Sequence, residues 1–463
     1  MGWKPKRMEG RSLTLQIKEW MLEQITEGHW SIGMRLPSQR KLASELDVNR
    51  STIIHVLEDL KADGVLEAKQ GSGIYVKARG WEYTLSQHMP DWHKRMKHST
   101  YKANIDTVQQ INEFEQDETI IRLGTGELSP DLIPTEALLS SMKSLTMTNK
   151  DFGYSEPLGS LTLRNVLTEY LQKRGIHTNA KNIVIVSGGL QALQLISIGL
   201  LQLGSTIGYD SPSYLHSLPS IPTRSVYHEP KRQKKHSIYY TIPTLSNPTG
   251  RILSCQQRQS LLQSYHDRHT PIIEDDVYHE LTFADAPPAL KSFDRSGQVL
   301  YIGSVSKVLS PGLRVGWLVG PQSVIAHLAD LKMQLDYGSS TLSQQVVAQW
   351  LLSKRFETHT NLLREELKAR ALFTEAILLR DFASIATWES SKGGFYIWLR
   401  IKQPVVTKSL FLTMLKRKIL IHPGYMYKPN DYHHIRISYS YCHKEELEKA
   451  LMILAEEITT RIV

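Results

Sequence analysis

Apolar residues recur every four positions at Leu13, Ile17, Met21 and Ile25, the spacing of one face of a helix. Gly28 marks its end. Pro37-Ser38 then reads as a helix start, with Ser38 as N-cap and Leu42 and Leu46 facing inward. Asp47-Val48-Asn49 makes a short turn. A third helix carries Ile53, Val56, Leu57 and Leu60 on one face and stops at Gly64. Two short strands follow, at 65–68 and 73–76, joined by Lys69-Gln70-Gly71-Ser72. This order predicts an α+β helix-turn-helix with a β-wing over residues 1–77.

The pattern then changes twice. Residues 78–118 show weak apolar periodicity, with Trp and His crowded among basic residues and acids after them, and read as an inter-domain linker. From Thr119 to Val463, apolar strand-like runs alternate with longer helical patterns. The runs at 183–186, 205–209, 271–275, 299–303 and 315–319 are candidates for buried strands. Such alternation predicts an α/β domain with a large, mostly parallel sheet and a smaller α+β subdomain.

Composition adds bounds. A chain of 463 residues calls for two or three domains. Two cysteines, Cys255 and Cys442, make no disulfide framework and have no metal-ligand spacing, so no metal site is expected and a reducing, cytoplasmic setting is. No run of 18 apolar residues and no signal-like start is present, so no membrane role is expected. The net charge of +9 favours approach to DNA. Residues 1–80 hold 13 Lys and Arg against 10 Asp and Glu, so nucleic-acid binding has to be argued from placement.

Placement supplies that argument. Arg50, Ser51 and Thr52 open the third helix, where one cation and two hydroxyls stand beside the positive helix end. Arg40 projects from the helix before it, and Lys69 and Gln70 cap the wing. A small helical protein-interaction domain with solvated arginines shows the same apolar pattern. The segments Leu36-Pro37-Ser38-Gln39-Arg40-Lys41-Leu42-Ala43, Val48-Asn49-Arg50-Ser51-Thr52 and Gly71-Ser72-Gly73-Ile74-Tyr75-Val76 closely resemble the GntR family of winged-helix regulators across residues 12–77. The resemblance implies double-stranded operator DNA as partner, contacted through Ser38, Arg40, Arg50, Ser51, Thr52, Lys69, Gln70 and Gly71. Ile54 stands where several members of that family carry a second arginine, so no contact is expected there.

In the larger region, chemistry-bearing residues fall at strand ends. Ser187-Gly188-Gly189-Leu190 opens a helix after a strand, suited to a phosphate. Tyr214 offers a ring for stacking, and Asn247 sits in the turn Ser246-Asn247-Pro248-Thr249-Gly250. Glu274-Asp275-Asp276-Val277-Tyr278 ends a buried strand in three acids, which need a cationic partner. Lys307 stands among Ser304, Ser306 and Ser310, with Arg314 seven positions on; Arg436 is alone in a late strand. Taken singly, each segment is equally readable as ordinary structure. Together, their order and spacing resemble the class I/II, fold-type I aminotransferases that depend on pyridoxal 5'-phosphate (PLP).

That resemblance implies a Schiff base between PLP and Lys307. It places Asp275 on the pyridine nitrogen, Asn247 and Tyr278 on the ring oxygen, and Tyr214 on the ring face. Gly189, Leu190, Ser304, Ser306 and Arg314 surround the phosphate, with Tyr154 reaching it from a partner subunit, and Arg436 holds an effector carboxylate. Asp276 receives no role. A GntR-type winged helix joined to such a domain is similar in layout to the MocR subfamily. This implies a homodimer, head-to-tail, sensing an amino-acid-like effector. A working aminotransferase with a DNA-binding appendage and a sensor of PLP itself are the alternatives. The basic run Lys231–His236 reads as a solvated loop.

Overall fold

The computed structural model describes residues 3–5, 12–26, 29–30, 33–69, 73–77, 104–148, 152–202, 204–218, 226–228 and 237–462. The chain divides into two compact units, Met1–Ser99 and Thr100–Val463. In the first, three helices, α1 (Leu13–Thr26), α2 (Gln39–Leu46) and α3 (Arg50–Ala62), precede strands β1 (Leu66–Lys69) and β2 (Gly73–Val76). The Ser38 hydroxyl accepts the Lys41 N–H at 3.3 Å and so caps α2. Asp47, in the left-handed region at φ 57°, ends that helix. Leu42, Leu46, Ile53, Val56, Leu57 and Leu60 pack into one core with Leu66 and Val76.

The strict four-residue spacing in α1 identifies its buried side but not its centre. Ile17 and Met21 are buried, Leu13 and Ile25 are half-buried, and Trp20 joins the core. A 3.6-residue turn drifts away from a four-residue step, which explains the offset. β1 and β2 pair antiparallel, Leu66 opposite Val76. The expected wing-tip residues Gln70, Gly71 and Ser72 lie outside the described residues, as do 78–103 and the basic run 231–236.

The second unit begins with helix α4 (Asp106–Phe114), followed by α5 (Thr135–Ser144) and α6 (Leu161–Lys173). Strands β3 (Ile183–Val186), β4 (Ile207–Tyr209), β5 (Val226–His228), β6 (Ile238–Thr241), β7 (Ile272–Asp275), β8 (Val299–Ser304) and β9 (Gly316–Val319) build a seven-stranded sheet of order β3-β9-β8-β7-β6-β4-β5. Between and after them lie α7 (Gly189–Leu200), α8 (Cys255–His266), α9 (Leu290–Phe293), α10 (Gln322–Asp336) and α11 (Thr341–Leu352). The neighbours from β5 through β8 are parallel, whereas β9 runs antiparallel to both β3 and β8. The sheet is therefore mixed, with one reversed strand. Every residue of β3, β4 and β6–β9 is buried, as a sheet covered on both faces requires.

Helix α12 (Lys354–Asp381) leads into a second, antiparallel sheet of order β10-β11-β13-β12. Its strands are β10 (Ala386–Thr387), β11 (Tyr396–Ile401), β12 (His422–Pro423) and β13 (His434–Ser438), with α13 (Lys408–Lys416) between them and α14 (Lys444–Ile462) closing the chain. Gly303 on β8 pairs with Trp317 on β9, and a Cβ at Gly303 would lie 2.4 Å from the indole ring. Because Trp317 is fully buried, Gly303→Ala is expected to destabilise the second unit by about 1–3 kcal/mol. Denaturant unfolding followed by tryptophan fluorescence would measure this, and an unchanged midpoint would contradict it.

Candidate functional site

The second unit gathers most of the predicted residues where strands end. β3 leads through Gly188, at φ 89°, into the first turn of α7, which begins at Gly189 and Leu190. The Arg314 guanidinium crosses this turn and donates to the Ser187 carbonyl at 2.6 Å. A Cβ on Gly188 would stand 2.9 Å from the end of the Arg314 side chain and push it aside, while the positive φ favours glycine there. At the end of β8, the Ser304 hydroxyl lies 3.0 Å from that of Ser306 and 3.0 Å from the Val315 carbonyl. Lys307 follows, and its amine donates to the Gly126 carbonyl at 2.7 Å.

The three acids at the end of β7 separate by strand alternation. Glu274 is fully buried and accepts the first backbone N–H groups of α9, Leu290 at 2.7 Å and Lys291 at 2.8 Å. Burial and the neighbouring Asp276 push its pKa up to about 8. Asp276, equally buried, is paired with Arg174 at 2.8 Å, His279 at 3.2 Å and the Tyr301 hydroxyl at 3.2 Å. Burial opposes its charge, but His279 and Arg174 outweigh that and hold it ionised. The other Asp276 oxygen is buried with no partner. Asp275 differs in having no ion pair among the described residues, whereas Asp276 pairs with Arg174 and Glu274 lies 4.0 Å from Arg258. One Asp275 oxygen accepts from the Tyr240 hydroxyl at 2.7 Å, while the other is buried with no partner. Burial pushes its pKa up to about 6, against the lowering effects of the Tyr240 bond and the Lys307 charge.

The second sheet brings Arg436 to the same place. Its guanidinium donates to Asn247 Oδ1 at 2.8 Å and to the Gly124 carbonyl at 2.6 Å, and it lies 4.1 Å from the centre of the Tyr396 ring. Tyr396 also meets Tyr278, hydroxyl to hydroxyl at 3.2 Å. Tyr214 donates its backbone N–H to the Asn247 carbonyl at 3.1 Å. Burial pushes the Tyr214 phenol up to about 12, and the charges acting on it belong to Asp275, Tyr396, Arg436 and Arg314.

Lys307, Asp275, Tyr278, Asn247, Tyr214, Arg314 and Arg436 thus share one polar cluster. Tyr154 stands apart: it is exposed, and its ring packs 5.3 Å from that of Tyr337. A cavity of about 400 Å³ lies beside the same sheet, lined by Trp388, Trp398, Arg400 and Tyr396 but not by Lys307, Asp275 or Arg436. The site is therefore placed by its chemistry and not by cavity volume. Tyr240, Tyr396, His422 and Arg174 were not singled out from the sequence, since each acts on a residue far away along the chain.

In the first unit, Arg40, Arg50 and Ser51 are exposed at the starts of α2 and α3, and Thr52 is half-buried. Arg50 donates to Gln39 Oε1 at 3.2 Å, which ties the two helix starts together. Lys69 lies 3.4 Å from Glu67 and over the Tyr75 ring at 4.9 Å.

Comparison with known proteins accounts for both units. Residues 13–76 match the family of bacterial regulatory proteins, gntR family, and residues 118–226 and 227–454 match aminotransferase class I and II. The chain is a MocR-type member of the GntR transcriptional regulators. It is 39% identical to the uncharacterized HTH-type transcriptional regulator YdfD of Bacillus subtilis, over 98% of this chain and 99% of that one. With the HTH-type transcriptional regulator NorG of Staphylococcus aureus it shares 38% identity over 90% of this chain and 98% of that one. Among solved structures, the kynurenine aminotransferase of Pyrococcus horikoshii superimposes with a TM-score of 0.75 at 24% identity, covering 81% of this chain and 99% of that one. At that identity the likeness speaks for the fold alone. This MocR-type regulator thus joins a GntR DNA-binding unit to an aminotransferase-like domain. Among the described residues, no helix is long and apolar enough to cross a membrane.

Asp275 gives the site a testable pH signature. Its pKa of about 6 lies above that of an unfolded aspartate, about 3.9. The folded protein then holds a proton that the unfolded chain releases, so stability falls as pH rises from about 4 to 6, by on the order of 2–3 kcal/mol. Asp275→Asn is expected to remove that part of the slope in urea unfolding of cofactor-free protein. An identical slope in both proteins would contradict it.

Proposed function

We propose that the regulator holds PLP at Lys307 and uses it, with Arg436, to sense an amino-acid-like effector and change its affinity for operator DNA. The observation that carries this reading is Asp275, which has a free buried oxygen and, unlike Asp276, no ion pair among the described residues. A fully buried carboxylate with one unsatisfied oxygen is unfavourable unless a donor meets it, and a protonated pyridine nitrogen is such a donor. The remaining residues fit the same group. The Gly188-Gly189 turn at the start of α7, the Ser304 and Ser306 hydroxyls and Arg314 suit its phosphate. Asn247 and Tyr278 suit the ring oxygen, and Tyr214 the ring face. When bound, the cofactor supplies an aldehyde that links to an amine and a ring that withdraws electrons.

The chain's own groups then divide the work. Lys307 presents its amine from the end of β8. Tyr240 and Lys307 offset only part of the cost of burying Asp275, whose pKa of about 6 leaves it an anion at neutral pH. Arg436 offers a planar guanidinium, backed by the Tyr396 ring, to a carboxylate. In the first unit, Arg40, Arg50, Ser51 and Thr52 engage phosphates and base edges from the helix starts, with Ser38 beside them and Lys69, Gln70 and Gly71 at the wing. Residues 1–77 serve as the DNA-binding domain, 78–118 as the connector and 119–463 as the effector domain. The regulator works in the cytoplasm as a homodimer, with Tyr154 and its neighbour Tyr337 exposed toward the partner.

Two variants separate the two activities. Lys307→Ala is expected to abolish the visible absorbance band of PLP-loaded protein and to leave basal binding to DNA from upstream of its own gene intact. Arg50→Ala is expected to weaken that DNA binding by roughly 1–3 kcal/mol and to leave the absorbance unchanged. Loss of DNA binding in folded Lys307→Ala would sink the modular reading. Steady keto-acid production from supplied amino acids would turn it toward an enzyme.

A further inference from the structure

The end of the connector stands beside the turn that contacts Arg436. Helix α4 ends at Phe114, and the next residue, Glu115, accepts a hydrogen bond from Thr125 at 2.8 Å. Glu115 Oε1 lies 3.9 Å from His422 Nε2. On its other side, His422 Nδ1 is 3.0 Å from Arg436 Nη2. A guanidinium can only donate, so Nδ1 is the acceptor and the ring proton sits on Nε2, which makes no hydrogen bond among the described residues and has the Glu115 carboxylate 3.9 Å away. His422 is buried and neutral: burial and the Arg436 charge hold its pKa well below the ordinary range. Arg436, His422 and Glu115 therefore form a line from cation through neutral ring to anion. Among carboxylates, Glu115 is the one whose charge acts most strongly on Arg436.

We propose that Glu115 is the resident counter-charge of Arg436, and that an effector carboxylate arriving at Arg436 displaces it, loosening the end of α4 where the connector enters the effector domain. The proposal rests on the reading of Arg436 as the carboxylate-binding group. A second, independent contact supports it. The short segment His422–Tyr427 touches both partners: Tyr427 lies 5.0 Å below the Arg436 guanidinium, and the Tyr425 hydroxyl meets Thr107 of α4 at 3.2 Å. Whatever moves this segment acts on the helix as well as on the arginine.

The physical cause is competition in a poorly solvated place. Arg436 is fully buried and its interactions are little screened. A second carboxylate at Arg436 is attracted to it and repelled by Glu115. Glu115 is the weaker holder, since burial and the nearby Glu127 already raise its pKa and disfavour its charge. An effector that binds Arg436 directly, with no histidine between, wins. The connector side then loses the electrostatic part of its anchoring and keeps the packing of Ile111, which is buried in the core. A ligand lacking a carboxylate leaves the line intact.

Two probes that differ by this one group test the idea: pyridoxamine 5'-phosphate and N-(5'-phosphopyridoxyl)-L-alanine. In the full-length protein, the alanine-bearing probe is expected to quicken amide hydrogen exchange across Asp106–Phe114, and pyridoxamine phosphate is not. Glu115→Gln, which keeps the Thr125 contact, is expected to raise the affinity ratio of the two probes by on the order of tenfold. Exchange in α14 serves as the control for folding. An unchanged ratio, with both probes bound, overturns the proposal. If neither probe binds, it is the cofactor reading that fails, and probe-free protein then decides this one. There, Arg436→Gln should quicken exchange in α4 in the native background and not in Glu115→Gln. No effect in the native background, or an equal effect in both, overturns it.

Discussion

Taking a carboxylate out of water costs several kcal/mol unless hydrogen bonds and opposite charge replace the solvent, and β7 ends in three of them. Each meets the requirement differently, and the differences organise the domain. Glu274 is satisfied by the first N–H groups of α9, so it fastens that helix to the sheet. Asp276 has one oxygen held by Arg174, His279 and Tyr301, so it fastens the end of α6 to the end of β7. Asp275, between them, has like Asp276 one oxygen free, but among the described residues it is the one of the three with no ion pair. Its two neighbours are structural, and it is rigidly presented because they are. The residue that can still gain from a ligand is the one that chemistry would recruit.

Arg436 presents the same logic in positive charge. It is buried in the second sheet with carbonyl, amide, imidazole and ring partners, yet none of these is a carboxylate at contact distance. A guanidinium placed this way is held in orientation while its charge is only partly compensated. That favours a planar anionic ligand more than a fully paired arginine would. It also means that any group tuning the compensation tunes ligand affinity, without touching the ligand.

Much of this was legible in the sequence because the informative segments are local. The helix starts at Ser38 and Arg50, the strand end at Asp275-Asp276, and the small-residue frame around Lys307 are each written in a few consecutive residues, and their order along the chain named the family. The rest was not legible because it depends on which distant residue arrives. Tyr240 bonds Asp275 across 35 positions, Arg174 reaches Asp276 across 102, and Asn247 meets Arg436 across 189. The reversed direction of β9 carries no local mark, since Gly316–Val319 is as apolar as its parallel neighbours. In α1 the periodicity pointed to Leu13 and Ile25, while the packing chose Trp20, a residue one step round the helix.

Why a regulator keeps so complete a site follows from what a signal needs. A ligand shifts a conformational balance only by binding two states unequally, and coupling between sites amounts to about 1–3 kcal/mol. A buried guanidinium is a good place to generate such a difference, because a single rearranged charge contact in poorly screened surroundings is of that size. Arg436 lies on a sheet apart from the one that carries Lys307, so a ligand spanning both reports on how the two sheets are held. The element that senses Arg436 must also touch the connector for the report to leave the domain. His422–Tyr427 does both, through His422 and Tyr427 on one side and Tyr425 on the other. On the proposed reading, the polar cluster around Lys307 and Arg436 is the recognition surface, and the short turn His422–Tyr427 beside it is the route outward.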